Sequence, residues 1–131
     1  MIVVDSSAFI EYYRPQGNKV ASQLVGEAIA NDQVLVNGII QAEIVAFAPS
    51  KREFELLTVD FSAFHWLDLT KHIFDLATEL GFTMRQKGFT LPTTDLLIAA
   101  TALHTQSTLY HLDKHFVVIS DHTSLKQVDL R

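Results

Sequence analysis

The segment Leu96-Leu97-Ile98-Ala99-Ala100-Thr101-Ala102-Leu103 is apolar on nearly every side. A helix of this kind has no face to give to water, so it must lie inside a domain with other elements packed around it. Pro92, Thr93 and Thr94 carry the start signals of a helix, and the pattern predicts one from Thr94 to Thr105.

Around this central helix the chain alternates strand and helix. Ile2–Val4 is a short β-branched run that reads as a buried strand, followed by helices near Ser7–Tyr13 and Lys19–Ala30 and a strand at Val34–Val36. A helix is expected near Ile39–Ala48, closed by Pro49, then another from Lys51 to about Phe64 and a short strand at His65–Leu67. A long amphipathic helix runs from Asp68-Leu69-Thr70 to about Gln86, with Gly88 ending it. The central helix, a strand from Thr108 to Leu112, a turn-like Lys114-His115-Phe116 and a last apolar run to Ile119 complete the chain. This βαβ rhythm predicts an α/β fold with a mostly parallel sheet. No repeat, low-complexity tract or linker interrupts it, so residues 1–131 read as one domain.

Four acids stand out against this framework. Asp5 ends the first strand, Asp113 follows the Thr108–Leu112 strand, Asp95 opens the central helix, and Glu43 falls among Ile39, Ile40, Ile44 and Phe47, which recur at helical spacing. Taken singly, Asp5 and Asp95 read as helix-capping or dipole-matched residues. Glu43 is harder to treat this way. An ionised carboxylate on an apolar face costs several kcal/mol unless a Lys or Arg, a donor network, a solvent-filled cleft or a cation compensates it. Taken together, two of the acids end strands, one begins the core helix and one lies on a core-facing helix; strand C-terminal ends and helix N-terminal ends converge on one edge of an open α/β sheet, so convergence of the four is expected. Hard oxygen ligands gathered there select Mg²⁺ or Mn²⁺, and without the ion they repel one another.

Composition limits the alternatives. With 131 residues, 48% of them hydrophobic, the chain can bury a real core. It has no cysteine, which excludes disulfides, thiolate zinc sites and cysteine nucleophiles. The start MIVVDSS lacks the basic head and apolar run of a signal peptide, and no stretch approaches the roughly 20 apolar residues of a membrane helix, so a soluble cytoplasmic protein with no membrane partner is expected. A net charge of −5 argues against a broadly basic nucleic-acid surface, leaving Arg14, Lys51, Arg52, Arg85, Lys87 and Lys114 as cations that could border a cleft or simply face solvent.

Among the six histidines there is no HExxH. His111 and His115 are four apart but straddle a strand end, so they read as surface or packing residues rather than as a ligand pair. Phe54, Phe61, Phe64 and Trp66 read as core or a subunit interface, not as a base-stacking platform.

Four blocks, VVDSSAFIEYY, IIQAEIVAF, TTDLLIAATAL and LYHLDKHF, follow one another in the order and at the spacing of the PIN-domain ribonucleases. Across nearly its whole length the chain resembles this family, particularly the VapC-type toxins of toxin–antitoxin pairs. The resemblance implies a three-layer PIN-like fold, a central sheet of four or five strands flanked by helices. It implies that Asp5, Glu43, Asp95 and Asp113 are the catalytic and metal-binding acids, with Ser6 or Ser7 supporting Asp5. It further implies Mg²⁺- or Mn²⁺-dependent endoribonuclease activity on an RNA substrate, a cognate antitoxin whose tail occupies the active-site groove, and a homodimer. The chain departs from the family two positions before the fourth acid, where Thr or Ser is frequent and His111 stands here, so the surroundings of Asp113 are open.

Two other classes remain in view. A haloacid-dehalogenase phosphatase also begins with strand-Asp, but it needs a second Asp two positions on, where this chain has Ser7. A PIN-like module that binds RNA or protein without cutting would keep the fold and lose metal-linked stability.

Overall fold

A computed structural model describes residues 1–131. Its elements are β1 (Ile2–Val4), α1 (Ser6–Tyr13), α2 (Lys19–Ala30), β2 (Val34–Val36), α3 (Gly38–Val45), α4 (Lys51–Ser62), β3 (His65–Trp66), α5 (Lys71–Gln86), α6 (Thr93–Thr105), β4 (Thr108–His111), α7 (Lys114–His122) and β5 (Lys126–Asp129). The five strands form one sheet in the order β3-β2-β1-β4-β5, every neighbouring pair parallel. The chain builds outward from β1 to β3 on one side, then crosses back to lay β4 against the other side of β1. The reversal between β1 and β4 is the switch point at which open α/β sheets leave a crevice beyond their strand ends.

Helix α6 is the centre of the molecule. Every residue from Leu96 to Ala102 is buried, including Thr101. Its one polar side chain in that stretch is satisfied twice: Thr101 Oγ1 donates to Leu97 O at 2.9 Å and accepts from Asn37 Nδ2 at 2.9 Å. Asn37 in turn caps α3, accepting the Ile40 amide, so one buried contact ties the end of β2 to the central helix. On the outer side, α5 presents Ile73, Ala77, Leu80 and Met84, a stripe at three- and four-residue spacing, to the core.

The structure departs from the sequence reading in two segments. Lys114-His115-Phe116, read as a turn, is the first turn of α7, and the apolar run that ends at Ile119 lies on that helix, burying Phe116 and Ile119 three positions apart. An Asp that caps a helix and an Asp that starts a turn make the same local bond to the amide two residues on, so the short signal is ambiguous. The second departure is β5. Its sequence KQVD is polar and half exposed because it is an edge strand, paired only with β4. Of the four aromatics read together, Phe61 and Phe64 pack against Phe9, whereas Phe54 and Trp66 are exposed.

Candidate metal centre

β1 delivers Asp5 to the switch point. The residue is 4% exposed and caps α1, its Oδ2 accepting the Ser7 amide at 3.1 Å and the Ser7 hydroxyl at 2.5 Å. The same hydroxyl oxygen accepts the Leu112 amide at 3.0 Å, a bridge from the first strand end to the fourth. Asp113 repeats the construction on β4: it caps α7, Oδ1 taking the His115 amide at 2.9 Å.

Asp95 lies in the first turn of α6, but it caps nothing. The N-cap position belongs to Pro92, and the Asp95 Oδ2 instead meets His115 Nδ1 at 2.8 Å. The capping reading of Asp95 therefore falls away, while its favourable place at the positive end of the helix dipole remains.

Glu43 reaches the site from α3 and differs from the expectation in its setting. The helix stops at Val45, so Phe47 is not on a core stripe but 81% exposed, and only Ile40 and Ile44 of that set are buried. Glu43 lies at the mouth of a cleft of about 580 Å³ whose walls include Ile10, Tyr13, Arg14, Phe47 and Leu57. Although the residue is half-buried, its Oε1 is sealed from solvent and accepts no hydrogen bond. None of the four acids forms an ion pair with Lys or Arg. Arg14, the one member of the cation set on this cleft, is engaged by Glu11 at 2.9 Å.

The electrostatics link the acids into a continuous set. Burial lifts the Asp5 carboxyl above its ordinary range, and Asp95 pushes it further, against the lowering effect of Ser7 and His111. Burial also raises Glu43, with Asp5 and Asp95 adding repulsion and the Ser6 hydroxyl opposing it. Asp95 is raised by burial and by Asp113, and lowered by its bond to His115. The structure thus brings all four acids to one edge of the sheet, with Ser7 bonded to Asp5 and Ser6 facing Glu43. Crowded carboxylates, one oxygen without a donor and no Lys or Arg partner make a donor set that a hard divalent cation fits.

His115 is the residue that the sequence reading missed. Its Nδ1 lies with carboxylate oxygens of Asp95 and Asp113, all mutually within 4.8 Å, a grouping that could hold a metal ion. The available signal was the Asp-x-His spacing, because an Asp that caps a helix brings the residue two positions on to its own side chain. His111 is fully buried, as a packing residue would be, yet it is also polar-bonded: Nδ1 accepts the Asp113 amide at 3.0 Å. That leaves Nε2–H to donate to Gln127 Oε1 at 2.6 Å, so β5 fixes the ring that fixes Asp113.

The profile of the PIN domain matches residues 2–121. The chain belongs to the PIN-domain family. Among solved structures, several superpose on it over almost its whole length. FitAcB from Neisseria gonorrhoeae matches with a TM-score of 0.81 at 20% identity, covering 99% of this chain and 98% of that one. VapBC-1 from nontypeable Haemophilus influenzae matches at 0.76 with 23% identity, covering 99% and 98%. VapC20 of Mycobacterium tuberculosis, described as a Sarcin-Ricin loop cleaving toxin, matches at 0.67 with 13% identity, covering 89% and 93%. No curated protein sequence matches. At these identities the likeness is one of fold, and the acidic site of this PIN domain stands on its own geometry.

Proposed function

We propose that this PIN domain is a divalent-metal-dependent endoribonuclease, the toxin of a toxin–antitoxin pair. The observation that carries the reading is the Glu43 Oε1, buried without a donor beside Asp5 and Asp95, at a switch point that offers no Lys or Arg to neutralise them. Asp5, Glu43, Asp95 and Asp113 hold the ion or ions, with Ser7 and Ser6 orienting the first two. Bound Mg²⁺ or Mn²⁺ supplies acidification of a water and neutralisation of the charge that develops on the phosphoryl oxygens. Glu43 Oε1, which accepts no hydrogen bond, would orient the water that attacks phosphorus, the water's proton passing to solvent and a solvent proton going to the leaving nucleotide oxygen as its bond to phosphorus breaks.

The toxin part of the reading is supported by neighbours that are themselves toxin–antitoxin complexes, among them VapBC2 of Rickettsia felis and a complex from Klebsiella pneumoniae. The cleft beside Glu43, walled by Ile10, Tyr13, Phe47 and Leu57, suits an apolar segment of a cognate antitoxin entering next to the acids. Exposed Phe47, Leu56 and Val59 supply further apolar surface for that partner and for a homodimer. The reading puts the protein in the cytoplasm, where RNA and antitoxin meet; no helix is long and apolar enough to cross a membrane.

The test is cleavage of labelled total RNA by the purified protein with Mg²⁺, Mn²⁺ or EDTA, beside Asp5→Asn. Discrete metal-dependent fragments, absent with the variant, are expected. Absent cleavage together with metal-induced thermal stabilisation would identify an assembled site that binds without cutting; absent cleavage with no stabilisation would sink the metal reading.

A further inference from the structure

The geometry points to His115 as a nitrogen ligand of the metal, giving this site a mixed donor set that favours Mn²⁺ over Mg²⁺. The inference rests on the metal-dependent reading above and goes beyond its four carboxylates. Three observations carry it.

First, the backbone that carries the ring is held next to Asp113. Asp113 Oδ1 accepts the His115 amide at 2.9 Å, which fixes the start of α7 beside one of the acids. Second, Nδ1 lies 2.8 Å from Asp95 Oδ2 and 3.4 Å from Asp113 Oδ1. Adjacent ligand atoms around an octahedral ion with bonds near 2.1 Å are separated by about 3 Å, so these atoms already stand at the separations of neighbouring ligands. Third, one proton on Nδ1 can point along a straight line to only one of the two carboxylates. A cation in place of that proton satisfies both oxygens and the nitrogen together.

Access is also right. The His115, Asp95 and Asp113 side chains are 32%, 16% and 35% exposed, so an ion can enter from solvent and keep some of its water. Imidazole is a poor ligand for Mg²⁺, which prefers oxygen and its own hydration shell, and a better one for first-row transition ions. The residue therefore sets which ion the site selects.

The experiment is pulsed electron paramagnetic resonance of Mn²⁺ bound to the wild-type protein, with calorimetric titrations of Mn²⁺ and Mg²⁺ into wild type and His115→Gln. A ¹⁴N coupling from a directly bound imidazole is expected in the wild type and should vanish in His115→Gln. His111 is no competitor for that signal, because both of its ring nitrogens are already hydrogen-bonded. The ratio of Mn²⁺ to Mg²⁺ affinity should fall by roughly tenfold or more in the variant. Bound Mn²⁺ without ¹⁴N coupling, or equal loss of both affinities in His115→Gln, would overturn the assignment and leave His115 as a residue that only positions Asp95. No Mn²⁺ binding would overturn it as well. RNA cleavage with Mg²⁺ by the same preparation tells this failure apart from failure of the ribonuclease reading, and the wild-type spectrum needs no variant to fold.

Discussion

At the end of β1, Asp5 caps a helix and accepts the amide two residues on; at the end of β4, Asp113 does the same one strand away. The first corner is closed. Asp5 is buried, and the Ser7 hydroxyl both binds it and ties it to Leu112. The second corner is open: Asp113 remains 35% exposed, and the residue in Ser7's place is His115, whose Nδ1 lies 2.8 Å from Asp95 and 3.4 Å from Asp113 instead of bonding Asp113 alone. Identical backbone chemistry thus produces a rigid carboxylate on one side of the switch point and an adjustable one on the other. On the metal-dependent reading proposed above, Asp5 would set the position of the ion and Asp113 would adapt to what is bound.

The sharpest break in that comparison is the exchange of each acid for its amide. Asn caps a helix as well as Asp, so neither Asp5→Asn nor Asp113→Asn should cost more than about 1 kcal/mol of stability without metal. Activity should separate them. Metal-dependent RNA cleavage is expected to fall roughly a thousandfold in Asp5→Asn, about 4 kcal/mol of transition-state stabilisation, and only about tenfold to a hundredfold in Asp113→Asn. Rates on labelled RNA, with thermal melts of the same samples, check this. Equal losses would mean that the open corner positions the ion as firmly as the closed one.

A smaller effect distinguishes the partners. Ser7→Ala removes a donor from a buried carboxylate and an acceptor from the Leu112 amide, and should lower stability by about 2 kcal/mol. His115→Ala removes a partly exposed contact and should cost less than about 1 kcal/mol. Denaturant melts in EDTA measure both. A cost at His115 that matched the cost at Ser7 would show the second corner to be structural after all.

These corners also explain what could be read from the chain. Strand β1, the all-round apolar α6 and the acids at Asp5 and Asp95 were legible because burial forces a pattern onto consecutive residues. Glu43 was legible as an anomaly, though for an incomplete reason: the stripe in which it was read breaks at Val45, and the carboxylate turns into a cleft instead of a core. For His115 only the Asp-x-His spacing to Asp113 was legible, and Gln127 was not legible at all. Each acts through a partner far away in sequence, Asp95 for one and His111 for the other, and β5 carries only four half-exposed residues, too few and too polar to stand out before pairing with β4. His111 as a packing residue was half the truth, since a buried imidazole must also spend both of its nitrogens on partners.

The smallest expected effect concerns pH, and its sign is opposite to that of ordinary acid denaturation. Asp5, Glu43 and Asp95 all bind protons more tightly in the folded protein than in the unfolded chain, chiefly because burial penalises their charge. A raised folded value means that the stability from protonation is fully present below the unfolded value near 4 and is lost as pH rises through the folded one. The metal-free melting temperature should therefore rise by a few degrees as pH is lowered from neutrality towards the unfolded values near 4. Groups that work in the other direction, Glu11 and Asp129, the latter held down to about 2 by Arg131, lose their contribution further into acid. Saturating Mn²⁺ should reverse the slope, because protons then compete with the ion for the same oxygens. Melting curves across this pH range, with and without Mn²⁺, should find the metal-free slope reduced more by Asp5→Asn than by Asp113→Asn. If Asp113→Asn flattened it more, the strain of the metal-free site would lie in the open corner, and the buried one would be the better solvated of the two.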